Sequence, residues 1–133
     1  MPREKKQAWT LVELLIVVVI IGILASLVLP NYKRMKEGTY DKEALADLKL
    51  MVAAAKIYRL EQGTYINATN TTVVNDLLRL TLPTSAQANW DHEIVNATYV
   101  TFTAKAGRRP APYVRIWRIN ETKEEPYQDS APW

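Results

Sequence analysis

The sequence has no cysteine, a single histidine and four glycines in 133 residues. Without cysteine the chain carries no disulfide, thiolate metal site or cysteine nucleophile, and its redox compartment is left unread. The lone histidine, His92, sits between Asp91 and Glu93. Neighbouring residues point to opposite faces of a strand, or about 100° apart on a helix, so these three side chains do not converge on a metal or a proton. A solvated surface histidine is the expectation. The few glycines form no phosphate-binding loop, and no catalytic constellation is visible. Net charge is also small: the formal total is +3. Arg3, Lys5, Lys6 and Glu4 place a net +2 in the first eight residues, leaving +1 for the remainder. Nucleic-acid binding by bulk charge is therefore poorly supported.

What the sequence does have is one long apolar run, Trp9 to Leu29, behind the basic octapeptide Met1 to Ala8 and ahead of Pro30. As a helix rising about 1.5 Å per residue it would measure roughly 31 Å, the hydrocarbon thickness of a bilayer. The small residues at positions −1 and −3 that a secretory signal peptide needs are missing after the run: Ala25 follows Ile23 by two, and Ser26 follows Leu24. Ile16 to Ile21 is β-branched throughout and would lean toward strand in water, but in lipid it must be helical to satisfy its backbone. One ionisable residue interrupts the run. A carboxylate at Glu13 costs on the order of 2.5–3.5 kcal/mol at the bilayer centre, less near an end, so it calls for a partner.

The string Ala8-Trp-Thr-Leu-Val-Glu13-Leu-Leu-Ile-Val17, with Gly22 and Pro30 at matching spacings, resembles the leader and assembly helix of type IV pilins and type II secretion pseudopilins. The resemblance covers about the first 32 residues and is silent about the rest. It implies cleavage by a prepilin peptidase between Ala8 and Trp9, with methylation of the new Trp9 amine. Glu13 then becomes the fifth mature residue and pairs with the terminal amine of a neighbouring subunit, with Thr10 as a local hydrogen-bond partner. A carboxylate costly on its own is compensated by an ammonium from the next helix, so the penalty in lipid drives docking. Ala8 stands where the family usually has glycine, and Trp9 where it usually has phenylalanine. Gly22 and Pro30 weaken the helix locally and mark where it could unwind when subunits leave the bilayer. Lys and Arg flank the run equally, with Arg3, Lys5 and Lys6 before it and Lys33, Arg34 and Lys36 after it, so head orientation rests on the resemblance.

The expected organisation is a leader at 1–8, a transmembrane and assembly helix at 9–30, and a head at 31–133. The fold class is α+β, a long N-terminal helix packed on a small antiparallel sheet. Asn31 to about Gln62 continues the helix, with Leu48, Met51, Val52, Ala55 and Tyr58 on one face, and Gly63 stops it. Thr64 to Thr72 reads as loop, and Val73, Leu77 and Leu80 suit a short helix ending near Pro83. Ile94 to Ala104 and Tyr113 to Ile119 read as strands, with Lys105 to Pro112 as the hairpin loop, in a sheet of three or four strands. The tail from Asn120 is polar and ends in Trp133, which either docks or stays loose. Four Asn-x-Thr triplets, at Asn67, Asn70, Asn96 and Asn120, follow from an Asn/Thr-rich composition. Glu121, Glu124, Glu125 and Asp129 are the acids available for Ca²⁺, but they form no recognisable loop. Arg108, Arg109, Arg115 and Arg118, beside Tyr113 and Trp117, make a local basic patch that reads as a solvated face before it reads as a DNA site.

The functional expectation is a non-enzymatic, cofactor-free subunit of a type IV pilus filament. It would wait in the inner membrane among lipid and then polymerise with copies of itself into a surface filament. The resemblance implies as partners the prepilin peptidase and the inner-membrane assembly platform with its ATPase. The alternatives are a periplasmic type II secretion pseudopilin and, in another class, a single-pass membrane-anchored binding module.

Overall fold

The computed structural model describes residues 9–110 and 115–129, without the side chains of residues 29 and 30. Expectations for the leader, for Pro112, Tyr113 and Trp133, and for the side chain of Pro30 fall outside the described residues. The chain divides into two compact units, Met1–Thr39 and Tyr40–Trp133, with the boundary inside the first helix.

That helix, α1, runs from Leu11 to Gln62 and is continuous through Gly22 and Pro30. In the first unit it has no core to pack on: every large apolar side chain from Leu11 to Val28 is 44–82% exposed. In the second unit it turns amphipathic. Ala44, Leu48, Met51, Val52 and Ala55 are buried in the core and Tyr58 packs at its margin, the stripe that the 3–4 spacing predicts. Burying a side chain the size of Leu48 or Met51 contributes about 1.5–3 kcal/mol each. Gly63 ends α1 at φ +80°, a left-handed conformation that costs glycine least.

A second helix, α2, spans Thr71–Leu78; Asn70 caps it by accepting from the Val73 N–H at 3.0 Å. Its inward residues are Thr71, Val74 and Leu78, with Val73 and Leu77 at the edge of the core. The expected loop at 64–72 thus ends two residues early, because Asn70 supplies the cap. Arg79 closes the helix in the left-handed region at φ 54°.

Four strands follow, β1 Trp90–Val95, β2 Thr103–Arg108, β3 Ile116–Asn120 and β4 Tyr127–Asp129, in an antiparallel meander ordered β1-β2-β3-β4. The sheet was expected; two of its boundaries were not. The stretch 94–104 is not one strand but the end of β1, a turn and the start of β2, with Asn96 at φ 54° and Val100 exposed at the turn. Two β-rich ends hid the turn, whose Asn-Ala-Thr sequence lacks glycine and proline. Conversely, Lys105–Arg108 belong to β2 rather than to the hairpin loop, because Lys105, Ala106 and Gly107 pair with Glu93, His92 and Asp91. The polar tail contributes β4, which pairs with β3.

The inward face of the sheet alternates bulky and small. Trp90, His92 and Ile94 of β1 and Ile119 of β3 flank Ala104 and Ala106 of β2, all buried, and Trp117, in register with Ala106, packs against that core. Polar contacts fix α1 on this sheet. Trp90 Nε1 donates to the Tyr40 carbonyl at 2.8 Å, Asn89 donates to Glu43 at 2.9 Å, and Asp41 accepts from Arg115 and Trp117 at 3.0 and 3.2 Å.

Candidate functional site

At the start of α1 the sequence Thr10-Leu-Val-Glu13 forms a capping box. The Glu13 N–H donates to Thr10 Oγ1 at 3.2 Å, while the Thr10 N–H and hydroxyl both donate to Glu13 Oε2 at 2.9 Å. A helix leaves its first N–H groups without intrahelical partners, and in hydrocarbon each unsatisfied group costs several kcal/mol. The box therefore supplies local satisfaction where α1 meets the apolar phase, and the Thr10-x-x-Glu13 spacing in the sequence already carries that signal. Glu13 is the one ionisable side chain between Trp9 and Leu29, and it is exposed, as is Trp9 at 76%.

Of the other site residues, Gly22 lies mid-helix, and a Cβ built there meets nothing within 4 Å. Packing within the chain thus imposes no demand for glycine at this position. Pro30 falls within the helical backbone; Ala8 lies outside the described residues.

In the head, the candidate groups are occupied by one another. His92 corrects the surface expectation: it is 2% exposed, and its Nε2 lies 3.2 Å from Asp47 Oδ2 on α1. Strand alternation turns 90, 92 and 94 inward, and a carboxylate from α1, 45 positions earlier in the chain, receives the ring; no local pattern announces it. Asp91 and Glu93 point outward, paired with Arg109 and Lys105, each at 2.8 Å. The arginine patch is likewise no open basic face. Arg108 lies 4.2 Å above the Tyr40 ring, Arg115 pairs with Asp41 at 3.0 Å, and Arg118 pairs with Asp129. Glu125 binds Lys49 at 2.7 Å and Glu121 accepts the Phe102 N–H at 3.0 Å, so these acids brace the head rather than surround a cation. Among the described residues no group of three or more His, Asp or Glu side chains is placed to hold a metal. Asn67, Asn70 and Asn120 use their carbonyl oxygens to hold backbone N–H groups.

Residues 5–29, which contain the capping box and the exposed apolar helix, match the prokaryotic N-terminal methylation motif. The chain is 37% identical over 90 residues to type II secretion system core protein G of Escherichia coli K12, covering 68% of this chain and 61% of that protein. The chain belongs to the type IV pilin and type II secretion pseudopilin superfamily. Two further relatives extend the comparison. Core protein G of Aeromonas hydrophila is 37% identical over 65 residues, 49% of this chain and 46% of that protein. Competence protein ComGC of Streptococcus pneumoniae is 39% identical over 61 residues, 46% of this chain and 56% of that protein. This pilin-superfamily chain thus spans about half to three-fifths of the length of the curated relatives it matches. Its architecture, a long helix with an apolar first half and a four-stranded antiparallel sheet, is the pilin-like α+β arrangement, and its N-terminal helix is long and apolar enough to cross a membrane.

Proposed function

We propose that this chain is a structural, non-enzymatic filament subunit, held in a membrane by α1 and polymerising through residues 9–30 after loss of Met1–Ala8. The observation that carries the reading is the start of α1. A capping box, Thr10 to Glu13, opens an 18-residue stretch, Leu11 to Val28, whose large apolar side chains have no intramolecular cover. Such a surface is stable only in lipid or against other copies of itself. Glu13 serves twice in this reading, closing the helix start through Thr10 and offering its charge to the methylated Trp9 amine of a neighbour. The prepilin peptidase, the assembly platform and its ATPase are the partners this processing and polymerisation require.

Of the two filament types, the pseudopilus is the better supported. The match to the type II secretion core protein of E. coli covers 90 residues, more than the 62 up to the end of α1, so it includes part of the head. The 61 residues matched in the competence protein are no more than leader and helix hold. A surface pilus is the second reading. Mass spectrometry of the N-terminus tests the processing: a chain beginning at methylated Trp9 is expected, and one retaining Met1 overturns the proposal. Immunogold labelling then separates a periplasmic filament from a surface one.

A further inference from the structure

The head carries two exposed apolar features that its own fold does not use. The first lies on α1 between α2 and solvent. Leu50, Ala53, Ile57 and Leu60 recur at 3–4–3 spacing on the helix face opposite the core stripe, with Leu50, Ile57 and Leu60 exposed by 49%, 58% and 87%. Leu50, Ala53 and Ile57, with Leu77 and Leu80 from the α2 side, line a groove of about 330 Å³. The second is the β1–β2 turn, which presents Tyr99 at 75% and Val100 at 61% exposure. This tip is not loose. Thr98 Oγ1 accepts the N–H groups of Val100 and Thr101 at 3.2 and 3.0 Å, and the Thr98 carbonyl accepts from the Tyr65 N–H at 3.1 Å. An apolar tip held in one shape loses little entropy on docking, and tyrosine is among the residues that most often anchor interfaces.

The groove and the tip lie on different flanks of α1. Val100 stands beside Lys56, Arg59 and Leu60, whereas the groove is bordered by Ala54, Tyr58 and Glu61, with no residue in common. A protrusion and a recess at separate places on one molecule can join one copy to the next, and a filament, unlike a two-fold pair, is built from such head-to-tail contacts that pass from copy to copy without closing. The contact is also too small to hold two chains by itself, since stable interfaces bury on the order of 800 Å² per partner. It can act where another element already brings copies together, which the exposed apolar half of α1 does under the function proposed above, on which this inference rests.

We infer that the α1–α2 groove is the docking site for the Tyr99–Val100 tip of the next copy of this chain, and that this contact sets the register of heads along the filament. The absence of native cysteine makes the test direct. Full-length Tyr99→Cys and Ala53→Cys chains are co-expressed in cells that assemble filaments, and sheared or sedimented filaments are oxidised mildly. A disulfide-linked dimer is expected from the mixture and from neither variant alone; both cysteines in one chain should give a ladder of multimers. Filaments that assemble normally yet yield no mixed dimer overturn the docking contact while leaving the filament reading intact. A dimer without a ladder overturns the open, head-to-tail arrangement. Failure of the unaltered chain to polymerise at all overturns the filament reading and this contact with it. A second measurement does not depend on oxidation. Val100→Asp should lower filament yield several-fold, and adding Ala53→Lys to the same chain should restore it; no restoration counts against the pairing.

Discussion

Under the function proposed above, Glu13 carries two duties, capping and docking, which one substitution does not separate but a pair does. Alanine removes both the cap and the charge, whereas glutamine keeps an oxygen able to accept from Thr10 and loses only the charge. Glu13→Ala is expected to insert in the membrane yet fail to polymerise. Glu13→Gln should fail nearly as completely, because removing one partner of a desolvated ion pair costs about 3–5 kcal/mol, well over tenfold in an assembly constant. Filament recovery from Glu13→Gln cells measures this, and normal recovery would assign Glu13 to capping alone. His92 calls for a different experiment. With the ring buried against Asp47, His92→Ala leaves a cavity and a carboxylate without its neighbour, and should destabilise the head by about 2–4 kcal/mol. Urea unfolding of the detergent-solubilised chain, followed by circular dichroism, gives the figure; a loss under about 0.5 kcal/mol would mean a solvated site.

At the scale of elements, the termini of α2 and the weak points of α1 make opposite predictions. Asn70 closes the N-terminus of α2, so Asn70→Ala should cost about 1 kcal/mol. Arg79 closes the C-terminus with φ 54°, a conformation that strains any residue with a Cβ, and its ion pair to exposed Glu61 is long at 4.0 Å. Arg79→Gly should therefore stabilise the head by about 0.5–1 kcal/mol, read as a shift in the urea midpoint. Gly22 offers the sharpest contrast. Nothing in the chain crowds it, so Gly22→Ala should strengthen α1 by about 1 kcal/mol. If Gly22 marks where subunits approach closely or the helix loosens on leaving the bilayer, the same change should reduce filament yield while leaving membrane insertion unchanged.

For the whole molecule, the two units follow different physics. Residues from Tyr40 onward bury a core of α1, α2 and sheet, while the large apolar side chains of Leu11 to Val28 have no core of their own. Removing the first unit's exposed surface from water is a matter for lipid or neighbouring copies, so the chain's stability there is inseparable from its surroundings. Filaments dispersed in mild detergent should release folded monomers whose heads keep their near-ultraviolet signal from Trp90 and Trp117, because that core needs no neighbour. Loss of that signal on dispersal would show instead that heads depend on one another.

The apolar helix and its capping box were legible because their signals are local. A bilayer-length apolar run and a single carboxylate three residues after a threonine depend on positions along one helix. The core stripe of α1 was legible for the same reason, since helical spacing alone places Leu48, Met51, Val52 and Ala55 on one face. Tertiary structure decided what depends on chain segments far apart in sequence. The register of β1 against β2 moved Lys105–Arg108 from loop to strand and Val100 from strand to turn. Asp47 turned His92 from a surface residue into a buried one, and Asp41, Asp91 and Asp129 converted a basic patch into internal pairs. A charge's partner is a matter of distance in space, which spacing along the chain does not encode. The groove beside Leu50 and Ile57 likewise exists only because residues 77–80, at the end of α2, come to lie beside α1.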